Sequence, residues 1–166
     1  MSEAIFRRPI AAHISLSVRS IDKSTQFYAQ LFGREPSKVR PGYAKCQLES
    51  PPLNLSLLES TAAVAAPGAH FGIQLADTSD VMRSTRRLDE LGLTSMKEEK
   101  TVCCYSEQDK VWATDPDGNR WELFAALRKA SDEEETQARA ERAEEGQACC
   151  APECCSLRMI PRWALL

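Results

Sequence analysis

The chain has 166 residues, of which 43% are hydrophobic and 27% charged, with a formal net charge of -3. That length suits one domain burying roughly two-thirds of its unfolded surface. The charge balance offers no basic stripe for nucleic acid, and no apolar run approaches the ~18 residues that span a bilayer.

Met1 to Arg8 carries two arginines with no apolar stretch behind them, so no secretory signal is expected there and the cytoplasm is the expected compartment. Two segments then follow one plan. Residues 11–58 open with His13-Ile14-Ser15-Leu16-Ser17-Val18, whose period-2 alternation puts His13, Ser15 and Ser17 on one face of a strand. A helix is predicted next, with Ser20 or Asp22 as cap, Phe27, Tyr28, Leu31 and Phe32 as apolar stripe, and Gly33 as stop. Strands are expected near 37–39, Tyr43–Leu48 and Leu53–Glu59, the last preceded by a turn at Pro51-Pro52. Ala62 to Ala69 reads as a linker.

The second segment, 69–126, repeats the order. His70-Phe71-Gly72-Ile73-Gln74-Leu75 is its first strand, and Ser79 or Asp80 can cap a helix with the stripe Val81, Thr85, Leu88 and Leu91, stopped at Gly92. Strands are expected near Thr94–Glu98, 102–105, Val111–Thr114 and Trp121–Ala125, with Asp115-Pro116-Asp117-Gly118 as the turn before the last. The pattern is an α+β architecture built from two βαβββ modules. A domain over 10–127 and an acidic, cysteine-containing, flexible tail over 128–166 are expected. Between Asp132 and Gln147 no apolar face stands out, so that stretch reads as a solvated helix or disorder.

Six of the seven cysteines lie in adjacent pairs, Cys103-Cys104, Cys149-Cys150 and Cys154-Cys155. Ordinary disulfides need Cα atoms ~4.4–6.8 Å apart, so adjacent thiols are poor staples and good chelators. A reducing compartment points the same way. The thiolate is the ligand form, and a free cysteine has a pKa of ~8.5, so Lys100, Lys110, a metal or the ligand itself must assist at Cys103 and Cys104.

The two histidines, His13 and His70, hold the same position in each module, and Glu122 lies on the last strand of the second. A carboxylate in an otherwise apolar strand needs a counter-charge, which a metal can supply. Two imidazoles and a carboxylate match the facial triad of non-haem Fe(II) sites, although Mn, Zn or Ni can use similar ligands. Asn54 and Ser56 on the corresponding first-module strand are weak ligands, and Glu59 falls slightly too far along it. Tyr43, Tyr105 and Trp112 are candidate pocket walls or core residues.

On these residues the chain resembles the vicinal oxygen chelate (glyoxalase/bleomycin resistance/dioxygenase) superfamily. The resemblance rests on His13 to Val18, the helix end Phe27-Tyr28 to Gly33, His70 to Gln74 and Asp115 to Glu122, and covers residues 10–127. Cys103-Cys104 narrows it to the organoarsenical carbon–arsenic lyases and the similar cadmium-induced proteins. The resemblance implies a glyoxalase-like half-barrel fold and an Fe(II)-dependent, O2-consuming lyase of dioxygenase type, acting in arsenical detoxification. His13, His70 and Glu122 would hold Fe(II). Cys103 and Cys104 would bind the arsenic of methylarsenite or a reduced aromatic arsenical, releasing arsenite. A monomer or homodimer is expected. The alternative is a non-enzymatic cadmium- or arsenite-binding resistance protein, which Cys149, Cys150, Cys154 and Cys155 would also suit as a metalloid-capture cluster. A thiol-transferring fosfomycin-resistance enzyme would need a cationic phosphonate pocket, for which Arg120 and Lys110 are thin support.

Overall fold

The computed structural model describes residues 11–62, 65 and 69–144. The elements run β1 (Ala12–Val18), α1 (Ile21–Phe32), β2 (Lys38–Arg40), β3 (Tyr43–Glu49), β4 (Pro52–Glu59), then β5 (His70–Gln74), α2 (Thr78–Glu90), β6 (Thr94–Cys103), β7 (Ser106–Thr114), β8 (Arg120–Lys129) and α3 (Asp132–Glu144). Each of the two expected modules is therefore present as one strand, one helix and three strands. The described residues divide into two compact units, the first comprising 11–62 with 114–118 and the second 65, 69–113 and 119–144.

The first unit carries a sheet in the order β1-β4-β3-β2, with β1 parallel to β4 and the other pairs antiparallel. Alternation along β4 sends Leu53, Leu55 and Leu57 to a buried face, which they share with Ala44 and Cys46 of β3. Helix α1 packs on β3 and β4 and buries Ile21, Phe27, Tyr28 and Leu31. Each such fully buried large side chain contributes roughly 1.5–3 kcal/mol. Ser20 is the N-cap, accepting from the Lys23 amide, and Gly33 ends the helix at φ 66, a conformation suited to glycine. The turn at 114–118 is tied into this unit. Asp115 accepts the Tyr28 hydroxyl at 2.7 Å, and Asp117 accepts the Arg19 amide at 3.1 Å.

The second unit repeats the topology as β5-β8-β7-β6, with β5 parallel to β8. Its buried face is built from Val111, Ala113, Trp121, Leu123 and Ala125, and helix α2 contributes Val81 and Leu88. The cap of α2 is Asp77, two residues before the expected Ser79 and three before Asp80. Its carboxylate accepts the Asp80 amide at 3.0 Å and the Ser79 hydroxyl at 2.6 Å, so the serine supports the cap instead of being it. Two strands expected at Thr94–Glu98 and 102–105 are one, β6. Its pairing with β7 slips between Glu98 and Thr101, where Lys100 takes φ 49, and resumes up to Cys103 opposite Ser106.

Beyond Leu127, β8 continues to Lys129, and α3 occupies the first part of the acidic segment. Ser131 and Glu134 form a reciprocal cap: the Glu134 amide donates to the Ser131 hydroxyl, and the Ser131 amide to the Glu134 carboxylate. Cys149, Cys150, Cys154 and Cys155 lie outside the described residues.

Candidate metal and thiol site

The polar face of the second sheet follows from register. Pairing β5 with β8 sets His70 beside Arg120 and Gly72 beside Glu122. From there His70 Nε2 stands 3.4 Å from Glu122 Oε1. Two donors each about 2.1 Å from one cation would show a similar spacing. His70 Nδ1 is buried and lacks a hydrogen-bond partner among the described residues. Gly72 makes room for the carboxylate: a Cβ there would lie 2.9 Å from Glu122 Oε1 and 3.3 Å from Phe124 Cε1. The imidazole, the carboxylate and the cleared backbone between them fit a divalent cation.

A counter-charge for Glu122 is already present in the protein. The Lys110 ammonium lies 3.4 Å from Glu122 Oε2, with side-chain exposures of 2% and 11%. Burial alone would lower the Lys110 pKa, but the charges of Glu122, Cys103 and Glu98 outweigh it and hold the group above its ordinary value. Of the two lysines expected to assist the thiols, it is therefore Lys110 whose charge senses Cys103. Lys100 instead donates its amide to Asp109 in the β6 bulge. Trp112, fully buried, forms the floor of this site. His70 meets its ring edge-on at 5.4 Å, the Arg120 guanidinium lies 4.2 Å from its centroid, and its indole N–H donates to Glu98 at 2.7 Å.

The thiol pair sits at the β6–β7 bend. Cys103 ends β6 and Ser106 starts β7, leaving Cys104 and Tyr105 as a two-residue turn with φ 55 and 61. Positive φ at both central residues is the hairpin geometry usually written Asn-Gly. Cys103 is buried, Cys104 is exposed, and their sulfurs are 3.4 Å apart. Tyr105 is 53% exposed, so it belongs to the rim rather than to the core. Cys46 is a contrast: burial, then the Glu35 charge, pushes its thiol up to about 11, which makes it a packing residue.

In the first unit the register is the same, and the chemistry is weaker. β1 pairs with β4 so that His13 lies beside Asn54 and Ser15 beside Ser56, which puts Ser56 where the second module has Glu122. His13 Nε2 is 3.2 Å from the Ser56 hydroxyl, which also lies 3.5 Å from the Tyr43 hydroxyl. Glu59 is engaged elsewhere, accepting the Ile21 amide at 3.2 Å. Among the described residues no three His, Cys, Asp or Glu side chains gather into a metal cluster. Within the second unit the structure brings together His70 and Glu122, with Lys110 paired to the same carboxylate. His13 occupies the equivalent place in the first unit. Alternation puts Gly72 on the His70 face, but its clearance for Glu122, the Trp112–Arg120 stack and the pairing of Lys110 with Glu122 appear only in the structure. The only sequence signal for them was the shared face of alternate residues along β5, β7 and β8.

The fold and this polar face define a class. Residues 10–123 match the model of the Glyoxalase/Bleomycin resistance protein/Dioxygenase superfamily, and the chain belongs to that superfamily. A solved glyoxalase/bleomycin resistance protein/dioxygenase from Alicyclobacillus acidocaldarius superposes with a TM-score of 0.60 at 17% identity, over 71% of this chain and 92% of that one. More narrowly, the chain is 48% identical over 114 residues to a trivalent organoarsenical cleaving enzyme of a Bacillus species (strain MD1), covering 68% of this chain and 71% of that protein. It is 40% identical over 114 residues to the cadmium-induced protein CadI of Mycobacterium tuberculosis, covering 69% and 74%. No helix among the described residues is long and apolar enough to cross a membrane.

Proposed function

We propose that this protein cleaves the carbon–arsenic bond of trivalent organoarsenicals such as methylarsenite or reduced aromatic arsenicals, releasing arsenite in an Fe(II)-dependent reaction of dioxygenase type. The observation that carries this reading is the thiol pair, with sulfurs 3.4 Å apart, on the same sheet that sets Glu122 against His70. His13, His70 and Glu122 would hold the metal. Fe(II), when bound, would supply the capacity to activate O2.

The rest of the chemistry falls to the chain. A trivalent organoarsenical has one carbon substituent and two exchangeable oxygens. Cys103 and Cys104 each form a sulfur–arsenic bond, and each thiol proton leaves with a displaced hydroxide as water. Two sulfurs on one arsenic hold the carbon–arsenic bond in a fixed place, a proximity effect. Trp112, under His70, keeps water from the floor of the site.

The deciding experiment loads the protein with Fe(II) without oxygen, adds methylarsenite, admits air and measures arsenite by speciation. Arsenite must exceed that from the metal-free protein. A second reading has its own support, because Lys110 already neutralises Glu122. On that reading the thiols sequester cadmium or arsenite and no bond is cleaved. Stoichiometric capture without oxygen-dependent arsenite release would establish it.

A further inference from the structure

Helix α3 has the sequence DEEETQARAERAE, with too few apolar residues for an apolar stripe, yet it docks on β6 and buries a carboxylate, Glu135, at 2% exposure. Burying a glutamate is costly unless specific partners meet it. One of its partners belongs to the thiol turn and the other to its own helix. Glu135 Oε2 accepts the Tyr105 amide at 3.1 Å, and Oε1 accepts Arg139 Nε at 2.7 Å. The Arg139 guanidinium in turn lies 5.9 Å from the centroid of the Tyr105 ring. One turn further on, Arg142 donates to the Val102 carbonyl at 2.5 Å. Glu135, Arg139 and Arg142 follow i, i+4, i+7 spacing, so one face of the helix is a charged stripe fitted to the hairpin. The Tyr105 carbonyl is held as well, by the Ala130 amide at 3.0 Å.

We infer that Glu135 is a positioning residue for the thiol pair, acting through the Tyr105 amide. Cys104 and Tyr105 both occupy the left-handed region, which non-glycine residues leave unless their surroundings hold them there. Glu135 fixes the second of the two peptides and keeps the Cys104 sulfur beside Cys103 before any ligand arrives. Release of that amide lets the turn relax, the sulfurs separate, and a ligand that must bind both loses the benefit of preorganisation. A reagent that needs one sulfur does not. The inference rests on the dithiol half of the proposed function and not on the metal.

The test uses the full chain with Cys149, Cys150, Cys154 and Cys155 replaced by serine, so that Cys103 and Cys104 are its one vicinal pair, and phenylarsine oxide, a trivalent arsenical that binds two thiols. Binding is measured by titration, with alkylation of Cys104 by iodoacetamide as the one-sulfur control. Glu135→Ala is expected to weaken phenylarsine oxide about tenfold, the loss of one charge-assisted hydrogen bond. Its alkylation rate should stay within about twofold of wild type, as preorganisation matters only to a two-point ligand. Glu135→Gln, which keeps an acceptor oxygen for the Tyr105 amide, should recover most of the affinity. Wild-type affinity in Glu135→Ala, or a loss that Glu135→Gln shares in full, overturns the positioning role. Cys103→Ser is the separate control. If it binds phenylarsine oxide as well as wild type, the dithiol reading fails and the positioning role fails with it.

Discussion

Replacing Lys110 with methionine tests the electrostatics of the site directly. The substitution keeps an apolar stem of similar length and removes the one ammonium 3.4 Å from Glu122, where both side chains are almost out of water. At that separation an effective dielectric of about 20 gives roughly 5 kcal/mol of attraction, and dehydration of the lysine offsets part of it. Breaking a buried pair from one side typically costs about 3–5 kcal/mol, because the remaining charge is stranded. Glu122 retains a little solvent contact, so about 3 kcal/mol is expected for Lys110→Met. Lys110→Met with Glu122→Gln strands nothing and should cost about 1 kcal/mol, a hydrogen bond's worth. Urea unfolding at neutral pH, followed by the fluorescence of the buried Trp112 and Trp121, measures both. The double-mutant cycle should show a coupling of about 2 kcal/mol or more. Additive costs, or a single-mutant cost under about 1 kcal/mol, would refute the idea that Lys110 balances a buried charge. A divalent metal should restore stability to Lys110→Met alone, since it would supply the missing positive charge.

The other predictions concern geometry, sulfur and acid. Gly72→Ala puts a methyl 2.9 Å from Glu122 Oε1, so the carboxylate must turn away; a loss of about 1–3 kcal/mol in thermal unfolding and a weaker metal titration are expected. With the four tail cysteines replaced by serine, Cys103→Ser and Cys104→Ser should each abolish arsenical capture and retain metal, whereas Glu122→Ala should lose metal and activity together; elemental analysis after desalting separates these outcomes. Glu134, held down to about 2 from 4.5 chiefly by Arg128 and the Ser131 amide, has a depressed folded pKa. Its stabilisation of the α3 cap is therefore complete above 4.5 and is lost as pH falls through about 2. The NMR shift of the Ser131 amide should titrate near the lower value, and a midpoint at 4.5 would contradict the cap.

The doubled βαβββ order was legible because local signals agreed at every step. Leu53, Leu55 and Leu57 alternate with Asn54 and Ser56, the helices carry apolar stripes, and Gly33 sits where α1 must turn left-handed. Matching positions for His13 and His70 followed from the same repeat. What sequence could not provide was pairing across strands. The facing of Gly72 and Glu122 is set by register, and Lys110, read from sequence as a helper of the thiols, is turned by the fold onto Glu122. The docking of α3 escaped for a different reason. A search for amphipathic periodicity looks for apolar residues, and here the periodic residues are Glu135, Arg139 and Arg142.

The bend at Cys104 and Tyr105 has a bearing on how this hairpin can be altered. Asn-Gly at those two positions would suit the left-handed geometry and would remove a penalty of roughly 1 kcal/mol or more from each residue. The sturdier hairpin would also be chemically mute, having given up one of its two sulfurs. Thermostability screens that reward only a higher melting temperature would select for that loss, and any effort to harden this scaffold has to reinforce the bend from the α3 side.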